Sequence, residues 1–264
     1  MEWRNIILRI SVVVTTYNGK MHLEKQLLSL LQQERAPDEV LIFDDGSTDG
    51  TIELVQSFIR KNCLESWQFY VNAKRKGWKQ NFMEGLRKAA GDILFPCDQD
   101  DIWYPKKLAE MTAVMEQHPE IKLLACDYRV LYESGALKAT VYKKTPAETQ
   151  GLITRYGFTK HFFMNPYPGC TYAVRRDFFD AVKELWFDGS PHDEFLWLMA
   201  AVQDGAWFYN RVLMDYVRYS DNASGVRYKD VALQKENLRY IHKQLCALQS
   251  FAAEHPEIGR ASCR

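Results

Sequence analysis

The sequence predicts a single α/β domain with a mainly parallel sheet flanked by helices and a helical extension on its C-terminal side. Two observations predict it. In the first half, short apolar runs alternate with polar loops and amphipathic stretches, the trace that strand-helix-strand crossovers of a parallel sheet leave in a sequence. Three of those runs end in loops rich in Asp, Asn, Thr and Gly, and in such sheets ligands gather at the carboxyl ends of the strands.

Ile10 to Thr15 is the first strand, and Thr16-Tyr17-Asn18-Gly19 leads from it to a helix. Leu23, Leu27, Leu30 and Leu31 recur there on one face of a 3.6-residue period, which should pack on the sheet. The second strand, Val40 to Phe43, ends in Asp44-Asp45-Gly46-Ser47-Thr48-Asp49-Gly50, with Asp49 placed to cap the helix carrying Ile52, Val55 and Ile59. Trp67 to Val71 is the third strand. Lys74-Arg75-Lys76 and Lys79 follow, a basic stretch that either meets phosphates of a ligand or, as such runs usually do, faces solvent, and then a helix from Gln80 to Ala90 closed by Gly91. Ile93 to Phe95 delivers the chain to Asp98-Gln99-Asp100-Asp101.

The second half alternates less cleanly. It reads as a helix from Pro105 to Gln117, a strand from Leu123 to Asp127, a looser stretch from Glu133 to Gly151 and a strand from Thr171 to Val174. A helix from Arg176, another from Asp193 to Val202, a strand from Trp207 to Tyr209 and a last helix from Lys229 to Ala253 complete it. Leu238, Ile241, Leu245 and Leu248 lie at helical spacing on that last helix, fit for internal packing, a homodimer contact or a peripheral membrane contact.

Composition narrows the function. Of 264 residues, 34 are basic and 34 acidic, so no net positive field draws the chain to nucleic acid. No run of about 18 apolar residues is present to span a bilayer, and the N-terminus lacks a leader pattern, so a cytoplasmic protein without a transmembrane segment is expected. The six cysteines show no C-x-x-C spacing and read as reduced thiols. Neither G-x-G-x-x-G nor G-x-x-x-x-G-K-[ST] occurs, which removes dinucleotide oxidoreductases and P-loop NTPases. The tail from Gly259 to Arg264 carries no pattern.

The strongest local signal is Asp98-Gln99-Asp100-Asp101. Three carboxylates in four residues repel one another unless a cation or ligand neutralises them. In an extended segment Asp98 and Asp100 point the same way, and Mg²⁺ or Mn²⁺ prefers such oxygen ligands together with substrate phosphates. A solvated turn with Asp101 capping the next helix is the plainer alternative. Asp44-Asp45 either accepts hydrogen bonds from a nucleobase or ribose or simply builds a turn. Thr15-Thr16-Tyr17-Asn18 either cradles a base or is an ordinary strand-to-helix loop.

Their order along the chain separates these alternatives. Val12-Val13-Val14-Thr15-Thr16-Tyr17-Asn18-Gly19, Leu41-Ile42-Phe43-Asp44-Asp45-Gly46-Ser47-Thr48-Asp49, Gly77 with Asn81-Phe82, and Asp98-Gln99-Asp100-Asp101-Ile102-Trp103 resemble the successive signature blocks of family 2 glycosyltransferases. The resemblance covers the first 108 residues closely, and the Asp-Gln-Asp-Asp-Ile-Trp form is similar to bacterial rhamnosyltransferase-like members. It implies a GT-A fold, with residues 1–108 as the nucleotide-sugar half, 109–227 as the acceptor half and 228–264 as C-terminal helix and tail. It also implies inverting transfer from a dTDP- or UDP-linked donor, with L-rhamnose as the sugar leaned toward, to a saccharide or lipid-linked glycan of a surface polysaccharide. A non-catalytic nucleotide-sugar-binding or scaffolding protein of the same fold is the alternative.

By resemblance, Thr15 and Tyr17 line the base pocket and Asp45 bonds the base. Asn81 and Asp98 join the nucleotide-sugar site, and Asp98 and Asp100 hold Mg²⁺ or Mn²⁺, with Asp44 and Asp101 in support. Asp193 in Pro191-His192-Asp193-Glu194 is the expected general base, unless it is merely a helix cap or His192 or Glu194 orients or replaces it. Tyr167-Pro168-Gly169-Cys170-Thr171 resembles the loop beneath donor sugar and acceptor. One departure stands out: relatives often carry Tyr-Arg-x-His before Asn-x-Ser-Gly, where this chain has Tyr216-Val217-Arg218-Tyr219 before Asn222-Ala223-Ser224-Gly225. Tyr219 takes the place of the histidine, and Arg218 is a candidate diphosphate contact.

Overall fold

The computed structural model describes residues 7–132, 149–156, 165–219 and 231–256, and for 231–238 the backbone alone. Most of the stretch from Glu133 to Gly151, the Asn222-Ala223-Ser224 loop, the side chain of Leu238 and the tail from Gly259 lie outside the described residues. β1 (Ile10–Thr16), α1 (Lys20–Leu31), β2 (Glu39–Asp44), α2 (Thr51–Lys61), β3 (Trp67–Val71), α3 (Trp78–Lys88) and β4 (Ile93–Cys97) form the first half. Their strands lie in the order β3-β2-β1-β4, each parallel to its neighbour. They are continuous apolar runs because both faces are covered. Val12, Val14, Val40 and Ile42 pack with Leu23 and Leu27 of α1 and Val55 of α2, while Val13, Leu41 and Phe43 meet Phe82, Met83 and Leu86 of α3.

The same sheet continues through the second half, made of β5 (Ile102–Trp103), α4 (Lys107–Gln117), β6 (Leu123–Tyr132), β7 (Ile153–Arg155), β8 (Tyr172–Arg175), α5 (Arg176–Val182), α6 (His192–Ala201), β9 (Ala206–Arg218) and α7 (Val231–Glu254). β8 adds antiparallel to β4, and β6, β9 and β5 follow outward, with β7 on β9. The chain runs outward from β1 to β2 and β3, then returns to place β4 on the other side of β1. The loops leaving β1 and β4 therefore diverge, opening the crevice in which sheets of this type bind ligands.

Gly85 is what lets α3 seat closely. A Cβ at this position would lie 2.4 Å from Val13 Cγ1. Gly85→Ala should lower Tm even though Ala is favoured over Gly in helices by about 1 kcal/mol. An unchanged or higher Tm in thermal denaturation would remove the close-packing argument.

Several expected boundaries are corrected. Leu31 is 42% exposed, because eight residues carry it about 80° round the helix from Leu23. The helix expected at Gln80 to Ala90 spans Trp78–Lys88, started by Gly77 at φ +87°. Gly91 does not close it; its N–H donates to Ser11 Oγ at 2.7 Å, and a Cβ there would fall 2.5 Å from that same oxygen. β9 runs thirteen residues rather than three. Tyr216, Val217 and Arg218, expected in a loop, end this strand. Asp193 is not the N-cap of α6, since Pro191 holds that position and Asp193 sits in the first turn. Asp101 caps no helix either: its Oδ1 accepts the Val217 N–H at 3.1 Å.

Asp49 does serve a helix start, and serves two. Its Oδ1 accepts the Thr51 N–H at 3.0 Å and its Oδ2 the Lys20 N–H at 3.1 Å, so one carboxylate satisfies donors at the heads of both α1 and α2. On α7, Ile241 and Leu245 are 41% and 40% exposed, while Leu248 packs against the core. Among the described residues no helix is long and apolar enough to cross a membrane.

Candidate functional site

A cleft of about 510 Å³ opens at the carboxyl ends of β1 and β4. Thr15, Tyr17, Asp45, Asn81, Asp98, Asp100 and Asp193 all line it, so residues up to 178 positions apart face one space. Gln99 ties its two loops together. Its Oε1 accepts the Tyr17 N–H at 2.8 Å and its amide donates to the Tyr17 carbonyl at 3.2 Å. Gly19 makes room for this link, since a Cβ there would fall 2.2 Å from Gln99 Oε1.

The two aspartates after β2 divide their work. Asp44 is fully buried and accepts four hydrogen bonds: Gly46 and Ser47 N–H at 3.0 and 2.7 Å, Ser47 Oγ at 2.6 Å and Thr16 Oγ1 at 2.7 Å. It holds the turn. Asp45 accepts from Asn72 Nδ2 at 3.0 Å and from the N–H groups of Lys76 and Gly77 at 2.7 and 2.8 Å, which folds the basic loop over the cleft. A carboxylate has about four acceptor sites, so room for a ligand donor is left. Asn81 is more fully engaged: its amide donates to the Phe43 carbonyl at 2.8 Å and its oxygen accepts from Asn72 at 2.8 Å.

The basic stretch is not simply solvated. Arg75 lies 3.9 Å above the centre of the Tyr17 ring, on the cleft wall. Lys76 pairs with Glu84 on the outer face.

Beyond β4 the carboxylates crowd. Burial, then the charges of Asp100 and Asp193, pushes the Asp98 carboxyl up to about 7. Burial likewise raises Asp100, Asp193 and, well above the usual range, Asp101. Ligand atoms of Asp98, Asp101 and Cys170 lie within 4.8 Å of one another, with the Cys170 thiol beside the buried Asp101 carboxylate. Beneath them sits Lys107, wholly buried, its ammonium donating to the Cys170 carbonyl at 2.6 Å and lying 4.2 Å from the Trp103 ring centre. Lys107 is thus a buried cation beneath a group of carboxylates. The carboxylate oxygens of Asp98, Asp100 and Asp101 are donors of the kind a hard divalent ion takes.

Tyr219 hydrogen-bonds the Asp100 carboxylate and its ring stacks on His22 of α1 at 4.3 Å. An imidazole is thus present beside this position, brought from the first helix rather than from the chain around Tyr219. On the opposite wall, α6 starts with His192 and Asp193, whose Oδ1 accepts the Glu194 N–H at 2.9 Å. Tyr240 of α7 donates to Glu194 Oε2 at 2.7 Å, and Glu194 is not among the residues that line the cleft.

Sequence reasoning passed over Gln99 as a tether, Trp78 and Tyr216 as cleft walls, the seat of Arg75 on Tyr17 and the buried Lys107. Each owes its place to contacts across 19 to 114 positions, for which local pattern carries no signal.

The profile of glycosyl transferase family 2 matches residues 11–180. The chain belongs to this family. As a family 2 member it is 24% identical to the dTDP-rhamnosyl transferase RfbG of Shigella flexneri, over 80% of this chain and 73% of that protein. Among solved structures it superposes on Staphylococcus aureus TarS 1-349 in complex with UDP-GlcNAc (TM-score 0.65, 18% identity, 83% of this chain and 62% of that one). It also superposes on the mannosyltransferase PcManGT of Pyrobaculum calidifontis in complex with GDP-Man and Mn²⁺ (TM-score 0.58, 17% identity, 83% and 59%). The chain spans under two thirds of both structures. The fold of this family 2 glycosyltransferase chain is GT-A.

Proposed function

We propose that this chain transfers a sugar, with inversion, from a dTDP- or UDP-linked donor to a hydroxyl of a saccharide or lipid-linked glycan. The observation that carries the reading is the convergence of Asp98, Asp100 and Asp193 on one cleft at the divergence of β1 and β4. Thr15, Tyr17 and Asp45 receive the nucleotide end, with Asn81 on the cleft lining joining them and holding Asn72 and the β2 terminus in place. Asp98 and Asp100 hold Mg²⁺ or Mn²⁺, an ion that, when bound, offsets the charge developing on the departing diphosphate.

Asp193 takes the proton of the acceptor hydroxyl as that oxygen attacks the anomeric carbon from the face opposite the diphosphate. Its burial raises its proton affinity, which strengthens it as a base but requires it to be ionised first. The acid limb of the pH–rate profile should therefore lie above the ordinary carboxylate range. Activity rises as pH increases through the raised Asp193 value and is lost below it. A limb at the pKa of a free aspartate would remove the link to Asp193.

The test is a donor panel. With Mn²⁺ or Mg²⁺, dTDP-, UDP- and GDP-sugars are incubated with and without acceptor extract, and nucleoside diphosphate release and product anomeric configuration are recorded. dTDP-L-rhamnose comes first because RfbG bears that donor in its name. Metal-dependent release with an inverted product supports the reading. Stabilisation by nucleoside diphosphates without turnover on any donor would instead support a non-catalytic binding protein.

A further inference from the structure

His192 is the first residue of α6 and only 3% exposed, yet it lines the cleft. Its ring lies on Phe82 with centroids 4.0 Å apart, and Trp78 stands edge-on at 6.0 Å. Gly169 closes the third side: a Cβ there would fall 2.4 Å from Nε2, so only glycine lets the loop and the imidazole meet. Neither ring nitrogen has a hydrogen-bond partner among the described residues. Burial holds the ring's pKa down to about 3, so the imidazole is neutral at physiological pH, with one N–H and one lone pair.

A buried polar atom without a partner is destabilising, and among the described residues this side chain carries two. An apolar ring would fill the same box between Phe82, Trp78 and Gly169 without that penalty. The orphaned nitrogens sit one residue from Asp193, at the end of the cleft where the acceptor hydroxyl must be deprotonated. The geometry points to His192 as a sugar-contact residue, one of its nitrogens held in reserve for a hydroxyl of the donor or acceptor sugar. A hydroxyl can accept from an N–H or donate to a lone pair, and a neutral imidazole offers one of each on different edges of its ring. The inference rests on the reading of the cleft as a nucleotide-sugar site.

The test uses the full chain with His192→Phe, which keeps the ring stack and removes both nitrogens, and His192→Asn, which keeps a donor and an acceptor. His192→Phe should raise Tm in the absence of ligand, because two unpaired atoms are gone, while nucleoside diphosphate with Mn²⁺ binds within twofold of wild type. Sugar-dependent steps should fall about 10- to 100-fold, and His192→Asn should recover part of the loss. If donor sugar is the partner, affinity for the nucleotide sugar and its slow hydrolysis fall; if acceptor sugar, those hold and acceptor KM rises. Wild-type transfer, hydrolysis and KM in His192→Phe would overturn the assignment, as would a lower Tm with an equal loss of every activity. If wild type itself binds no nucleoside diphosphate, the reading of the cleft fails and this assignment falls with it.

Discussion

Asp193→Asn should reduce sugar transfer by about 10²- to 10⁴-fold, the usual contribution of a positioned general base. The amide oxygen can still accept the Glu194 N–H that Asp193 Oδ1 accepts, so the start of α6 should keep its shape. What it loses is the lone pair that takes a proton. Nucleotide affinity and metal-dependent stabilisation should stay near wild type, since Asp193 enters the cleft from α6 while the residues proposed to hold nucleotide and metal come from the loops after β1, β2 and β4. The measurement is a pair: transfer kinetics beside thermal shift with nucleoside diphosphate. Near-full transfer in Asp193→Asn would end its assignment as base, and joint loss of binding and transfer would show a structural role instead.

The second large effect belongs to the acidic loop. A ligand at 100 times its Kd stabilises a protein by about 2.7 kcal/mol. For a chain of this size that is roughly 5–11 °C in Tm. Wild type with saturating nucleoside diphosphate and Mn²⁺ should show such a shift, and neither component alone should reproduce it. Asp98→Asn and Asp100→Asn should each abolish most of it. Without ligand, Asp98→Asn should be no less stable than wild type, because the carboxylate it removes is held at a raised pKa by burial and by its neighbours' charges. Full retention of the metal-dependent shift in both variants would place the cation elsewhere.

The parallel half of the sheet was legible because its physics is local. Strands covered on both faces must be apolar throughout, and Val12 to Val14 and Val40 to Phe43 show that in sequence. The loops after them were legible too, since Asp and Gly mark where strands end. β9 was not. Arg211 and Val212 are exposed in its middle, at the register shift that faces Cys126 and Asp127 of β6, and they break the apolar pattern that would have revealed thirteen residues of strand. At the site, the acidic residues announced themselves by mutual repulsion. The nitrogens of His192, unpaired among the described residues, did not, because a residue lacks a partner only with respect to everything around it, and that is fixed by Phe82, Trp78 and Gly169 from two other segments.

The stack of Arg75 on Tyr17 bears on how the cleft fills. A flat cation covers one face of Tyr17, the tyrosine of the β1 loop. Any planar ring that stacks on that face must first trade places with the guanidinium. If a base stacks on Tyr17 as proposed, its binding there would be an exchange rather than an addition, in which one delocalised plane leaves as another arrives. The displaced charge stays tethered a few ångströms away, free to settle on whatever anion the incoming ring carries behind it.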